Sequence, residues 1–159
     1  MSKLVADLSA GTCVGLDLAK HVFQLRCADA SGTVVVAKAL RRPELLAFSA
    51  FLPPCIVGME SCGSAHHWGR ELMALGDDVK VMPPAYVKPF VKRQKNDKNN
   101  VAAIHETLGR PRLRFVRVRS IANKALLMLD NAREMLVVRR TQLLSGLRWH
   151  LAEIGVIAP

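Results

Sequence analysis

Residues 12–18 (TCVGLDL), 21–28 (HVFQLRCA) and 32–39 (GTVVVAKA) decide the fold. Each stretch is rich in β-branched and apolar side chains, and short polar or glycine-containing breaks separate them. That pattern predicts three consecutive strands joined antiparallel. Downstream, Pro43 suits the first turn of a helix running to about Leu52, where Pro53 and Pro54 stop it. CIVGM at 55–59 reads as a buried strand that delivers Glu60 to a small polar turn, SCGSA. Residues 66–75 have helical spacing and close at Gly76. VKVM at 79–82, bounded by Pro83 and Pro84, reads as an interior parallel strand. The order βββαβαβ followed by helices predicts an α/β fold with a mixed sheet.

After Pro84 the composition shifts. Residues 86–94 suit a basic helix and residues 97–108 a second one, before Gly109, Arg110 and Pro111 break the pattern. RLRFVRVR at 112–119 then reads as an extended segment with its arginines on one face. From Ser120, a good N-cap, to Ala152 there is no proline and much leucine, so one helix of about 50 Å is expected at about 1.5 Å rise per residue. Its apolar stripe runs through Ala125, Leu129, Ala132, Leu136 and Leu143, then shifts to Leu144, Leu147, Leu151 and Ile154. Arg139, Arg140 and Gly146 fall where the register slips, which predicts a stutter or bend. A lone amphipathic helix cannot bury its stripe. It needs its own copy in a homo-oligomer, or other chain.

With 159 residues, half of them hydrophobic and 23% charged, the chain has a globular balance and length enough to bury a core. Every apolar run falls short of the roughly 18 residues that span a bilayer, and Asp7 interrupts any signal-like stretch near the N-terminus. The expectation is a cytoplasmic protein. Cys13, Cys27, Cys55 and Cys62 show no CxxC spacing and read as small buried hydrophobes in a reducing compartment, without disulfides. The net charge of +10 is unevenly placed: residues 1–79 carry −1, whereas residues 80–148 carry +12. An excess of that size favours a polyanion, each phosphate contact gaining from counterion release. Nucleic acid is the natural candidate, and a solvated basic surface is the plain alternative. Anionic lipid fits less well, because the charge is not confined to one short amphipathic helix.

Three carboxylates stand where packing alone would not readily put them: Asp17 inside the first apolar strand, Glu60 at the end of the fourth, and Asp97 amid KRQKNDKNN. An ionised group among strand residues is costly unless it is paired or bound to a metal. If the first and fourth strands lie side by side, Asp17 and Glu60 project near one another. A helix beginning near residue 97 then shares one face between positions 97 and 100. Oxygen-rich sites of this kind suit Mg²⁺. Each residue also has a structural alternative: Asp17 as a strand end capping the turn before Lys20 and His21, Glu60 as an arginine's partner, Asp97 as an N-cap. His66, His67 and Cys62 hint weakly at zinc but lack a fourth ligand at metal spacing. Trp68 and Met73 fit a helix packing face. Arg112, Arg114, Arg117 and Arg119 read either as a solvated strand face or as phosphate contacts.

VGLDLAKHVFQL (14–25), VGMESCGSAHHWGRELMALGDDVKVMPPAYVKPFVKRQKNDKNN (57–100), RPRLRFVRVRS (110–120) and RTQLLSGLRWHLAEIGV (140–156) together resemble the N-terminal half of the DEDD transposases of bacterial insertion sequences. The catalytic domain of that family is similar to the RuvC Holliday-junction resolvase. The resemblance spans roughly Val14 to Pro159 and rests on several separated blocks in order. It implies a RuvC/RNase H-like domain over residues 1–110, a basic connector at 111–119, and a long coiled-coil helix over 120–159. It also implies four metal ligands, falling on Asp17, Glu60, Asp97 and Asn100, with Mg²⁺ as cofactor and Mn²⁺ as a substitute. Asn100 departs from the acidic pattern: it offers a carbonyl oxygen but no charge, and weaker occupancy of one metal is expected. Lys88, Lys92, Arg93, Lys95, Lys98, Arg112, Arg114, Arg117 and Arg119 are then the expected contacts to DNA and to a structured guide RNA. Family members continue into a second domain bearing a serine nucleophile, so strand transfer is not expected of residues 1–159 alone.

Three readings follow. The first is the metal-binding, nucleic-acid-binding part of a transposase. The second is a non-catalytic nucleic-acid-binding or dimerising fragment of a truncated transposase, favoured by Asn100. The third is half of an actin-like ATPase, since VGLDLAK before a hairpin resembles that phosphate loop. Against the third, no Gly/Thr-rich turn follows Asp17 to cradle phosphates with backbone N–H groups.

Overall fold

A computed structural model describes residues 13–31, 33–87, 89, 104, 107–108 and 113–159. Five strands form one mixed sheet: β1 (Cys13–Asp17), β2 (Val22–Ala28), β3 (Val34–Arg41), β4 (Ile56–Glu60) and β5 (Asp78–Met82), in the order β3-β2-β1-β4-β5. β1, β2 and β3 are an antiparallel meander, whereas β4 and β5 add in parallel on the other side of β1. The parallel additions need crossovers, supplied by α1 (Glu44–Ser49) and α2 (Ala65–Ala74). A short α3 (Pro84–Val87) follows β5, and α4 (Ile121–Glu153) is the long helix. This mixed α/β architecture with a long C-terminal helix is the one expected, and it is consistent with a RuvC-like fold.

Strand alternation sorts the sheet's two faces. Val14, Leu16, Phe23, Leu25, Val57, Met59 and Val81 turn to the face packed by Leu45 of α1 and by Ala65, Trp68 and Leu72 of α2, forming the main core. Each large apolar side chain fully buried there contributes about 1.5–3 kcal/mol. On the opposite face Met82 meets Val87, Ile104 and Leu108 in a smaller core. Gly76 closes α2 at φ +98°, the left-handed turn that favours glycine. Between β2 and β3, Asp29 Oδ1 accepts from Ser31 N and Thr33 N, both at 2.9 Å, and from Ser31 Oγ.

In the 112–119 segment Val116 and Val118 pack on the main core, while Arg114, Arg117 and Arg119 are exposed. Three expectations change. β5 is parallel but stands at the end of the five-stranded order, where Val116 N donates to Val81 O at 2.7 Å. Met73 is exposed, because α2 turns Trp68 and Leu72 inward instead. Cys62 is exposed in the turn before α2 and Cys13 is half-buried, so only Cys27 and Cys55 are buried thiols.

The chain divides into two compact units, Met1–Val118 and Arg119–Pro159. In the second, Ser120 caps α4 by accepting from Asn123 N at 3.2 Å, and the helix runs unbroken for 33 residues through Arg139, Arg140 and Gly146. None of its residues is buried. Met135, Leu136, Val137 and Val138 are consecutive and exposed, so apolar surface there passes round the helix instead of keeping to one stripe. No described helix is long and apolar enough to cross a membrane.

Candidate functional site

β1 and β4 pair in parallel through Val14↔Val57, Gly15↔Gly58 and Leu16↔Met59. One step beyond the last pair stand Asp17 and Glu60, the final residues of their strands. Alternation turns both to the face opposite the main core, with Gly15 and Gly58 behind them. Both are half-buried, and both take part in interactions within the protein. Beyond Glu60 the chain stays in the ladder, since Ser61 N donates to Met82 O at 2.7 Å.

The same face is where Leu108 packs. A Cβ on Gly58 would come within 2.4 Å of Leu108 Cδ1 and 2.6 Å of its Cγ, so only glycine admits the leucine there. Ile104, wholly buried beside Met82, belongs to the same stretch of chain, a few residues past Asn100 in sequence. Asp97, Asn100, Lys88, Lys92, Arg93, Lys95, Lys98 and Arg112 lie outside the described residues. Among the described residues no three His, Cys, Asp or Glu side chains gather as a metal site. The weak zinc hint thus finds no cluster: His66 is buried, while His67 Nδ1 lies 3.8 Å from Glu71 and Cys62 Sγ lies 3.7 Å from Ser64 Oγ.

The donors at hand, two carboxylates at the ends of neighbouring strands, suit a hard cation. Basic groups stand at the same end of the sheet. Lys20 and His21 occupy the turn directly after Asp17, and Arg41 ends β3 opposite Val22; all three are exposed. Sequence reasoning passed over them because they lie in the half of the chain with no net positive charge. Only the β1–β2 and β2–β3 pairing brings them to the acidic end. Arg114, Arg117 and Arg119 are exposed.

A buried polar pair lies at the other end of β4. Asp77 Oδ1 accepts from Cys55 N at 3.1 Å and lies 3.7 Å from Cys55 Sγ. Burial raises the Asp77 carboxyl, and the two Cys55 hydrogen bonds partly offset that. Burial, with the neighbouring Asp77 charge, pushes the Cys55 thiol up to about 12, and burial beside Cys27 pushes Cys13 up to about 11. These thiols stay protonated and inert at neutral pH.

Comparison with known proteins adds an independent line. Residues 14–156 match the IS110-type DEDD transposase family, described as a transposase. The chain is 44% identical over 145 residues to a "Probable family 20 transposase" of Pseudomonas aeruginosa, covering 91% of this chain and 43% of that protein. It is 38% identical over 148 residues to the transposase for insertion sequence element IS1328 of Yersinia enterocolitica, covering 93% and 44%. To the transposase for insertion sequence element IS1111A of Coxiella burnetii it is 37% identical over 143 residues, covering 90% and 39%. The chain thus spans about two fifths of the length of these curated relatives.

Proposed function

Because the chain belongs to the IS110-type DEDD transposase family, we propose that it supplies the divalent-metal and nucleic-acid-binding part of a DNA recombinase. Asp17 and Glu60 are the ligands of this reading, joined by Asp97 and the side-chain carbonyl of Asn100, and Mg²⁺ is the cation with Mn²⁺ as substitute. The parallel register of β1 and β4, which brings two acids 43 residues apart in sequence to neighbouring strand ends, is the observation that carries it. When bound, a divalent ion supplies charge stabilisation at a phosphate and activates the attacking oxygen. The chain's own residues bind and orient: the two carboxylates fix the cation at the sheet's end, and Leu108 on Gly58 sets the roof of that face.

Residues 1–110 form the metal-binding domain of this reading, 111–119 a basic connector, and 120–159 the helix that pairs with a second copy. The exposed arginines Arg114, Arg117 and Arg119, with Lys88, Lys92, Arg93, Lys95, Lys98 and Arg112, contact the backbone of DNA and of a structured guide RNA. The site of action on this reading is the cytoplasm. Titration of Mg²⁺ or Mn²⁺ by calorimetry into wild type and Asp17→Ala tests the metal site. Heat lost in the variant supports it; equal heats sink it.

Asn100 favours a second reading, a nucleic-acid-binding or dimerising fragment without catalysis, since its side chain brings no charge to the site. Asn100→Asp decides between them. Nicking of branched DNA that appears only in the variant marks a weakened enzyme, and no nicking in either marks a scaffold.

A further inference from the structure

Arg42 lies just past β3, outside every motif of the sequence, yet its side chain reaches two elements at once. Its Nη1 donates to Lys20 O at 3.3 Å, and its backbone N donates to His21 O at the same distance. Both acceptors belong to the turn that directly follows Asp17. Its guanidinium also stands 5.4 Å from the Trp68 ring and 5.5 Å from the Phe23 ring, and those rings meet edge to face at 5.2 Å. Trp68 sits on α2, the helix that follows Glu60 after a four-residue turn.

We infer that Arg42 is a positioning residue for the acidic pair: it ties the chain leaving Asp17 to the helix following Glu60, and so holds the two carboxylates at the spacing a cation needs. A planar guanidinium suits this task, because it stacks on aromatic faces while its edge donates hydrogen bonds. Lysine donates as a point charge without the planar stack. Phe23 and Trp68 are buried, so the cation–aromatic contacts are shielded from water while the Lys20 and His21 side chains remain outside. Both acids are the last residues of their strands, and no further β1–β4 pair fixes the chain beyond them. The inference rests on the metal reading above.

The test compares the 159-residue wild type, Arg42→Met and Arg42→Lys, each at a temperature where melting curves show it folded. Two quantities are read: amide hydrogen exchange in residues 18–21 against that in β4, and Mn²⁺ affinity. Arg42→Met is expected to speed exchange in the turn while leaving β4 protected, and to weaken Mn²⁺ binding about tenfold or more, the usual effect of losing a residue that orients a ligand. Arg42→Lys is expected to fall between the two. Mn²⁺ affinity equal to wild type in folded Arg42→Met overturns the positioning role, whatever the exchange shows. If Arg42→Met does not fold, Arg42→Lys decides, and wild-type behaviour there overturns it. A wild-type chain that takes up no Mn²⁺ overturns the metal reading instead, and the exchange comparison alone then decides whether Arg42 holds the turn.

Discussion

Leu108 rests directly on Gly58, with its Cδ1, Cγ and Cδ2 all within 2.7 Å of where a Cβ on that glycine would stand. The contact joins the middle of β4 to a stretch of chain far along the sequence, on the face that carries Asp17 and Glu60. Gly58→Ala forces that contact apart and should cost about 1–3 kcal/mol, as overpacking does. Chemical denaturation measures it. Adding Leu108→Ala should recover part of the loss, and strictly additive losses would show that the two residues do not collide.

Mn²⁺ should raise the melting temperature of the wild type and leave that of Asp17→Ala and Glu60→Gln unmoved. At a free concentration about 100 times the dissociation constant, a single site stabilises the folded state by about 2.7 kcal/mol. Sodium chloride at matched ionic strength controls for screening. A shift of equal size in all three proteins would point to binding elsewhere.

Asp77 gives the fold a pH dependence of known sign. Burial raises its carboxyl above the ordinary 3.8, so the unfolded chain releases this proton first. The group's favourable contribution is therefore whole below about pH 3.8 and falls as the pH climbs through the raised folded value. Asp77→Asn keeps an oxygen to accept from Cys55 N but cannot ionise. Its stability relative to wild type should grow from pH 3.8 upward and then level off. A difference flat in pH would mean that the carboxyl is not raised.

Thiol labelling at pH 8 should find one fast group in the folded chain. Cys62 is exposed, whereas Cys27 and Cys55 are buried and the Cys13 and Cys55 thiols are pushed to about 11 and about 12. Cys62→Ser should abolish the fast phase, and denaturant should release the other three. Fast labelling that survives this substitution would mean that β1 or β4 opens readily.

Leu129→Glu and Leu136→Glu should test whether α4 pairs with a copy of itself. Both leucines are more than three-fifths exposed in the single chain. Each substitution removes an apolar contact of about 1.5 kcal/mol or more and adds a charge to be desolvated. The dissociation constant of a self-paired helix, measured by sedimentation equilibrium, should rise about a hundredfold or more. No change in mass at any concentration would leave the helix without this partner.

Most of the sheet was legible because its strands obey local rules: β-branched runs, breaks at glycine and proline, and an apolar stretch ending in Glu60. The long helix was legible from the absence of proline and the Ser120 cap. The neighbourhood of Asp17 and Glu60 was conditional in the sequence, since nothing local states that β4 inserts beside β1 on the side away from β2. Arg42 carried no sequence signal at all. Its role depends on two aromatic rings and two carbonyls that come from separate elements and meet only in the folded chain.

The turn held by Asp29 has a practical corollary. Cys13 pairs with Ala28, so this turn sits at the pole of the sheet remote from Asp17 and Glu60. A fluorophore or affinity handle spliced there, with Asp29 and Thr33 retained as its anchors, would tether or report on the molecule while leaving the acidic pole untouched.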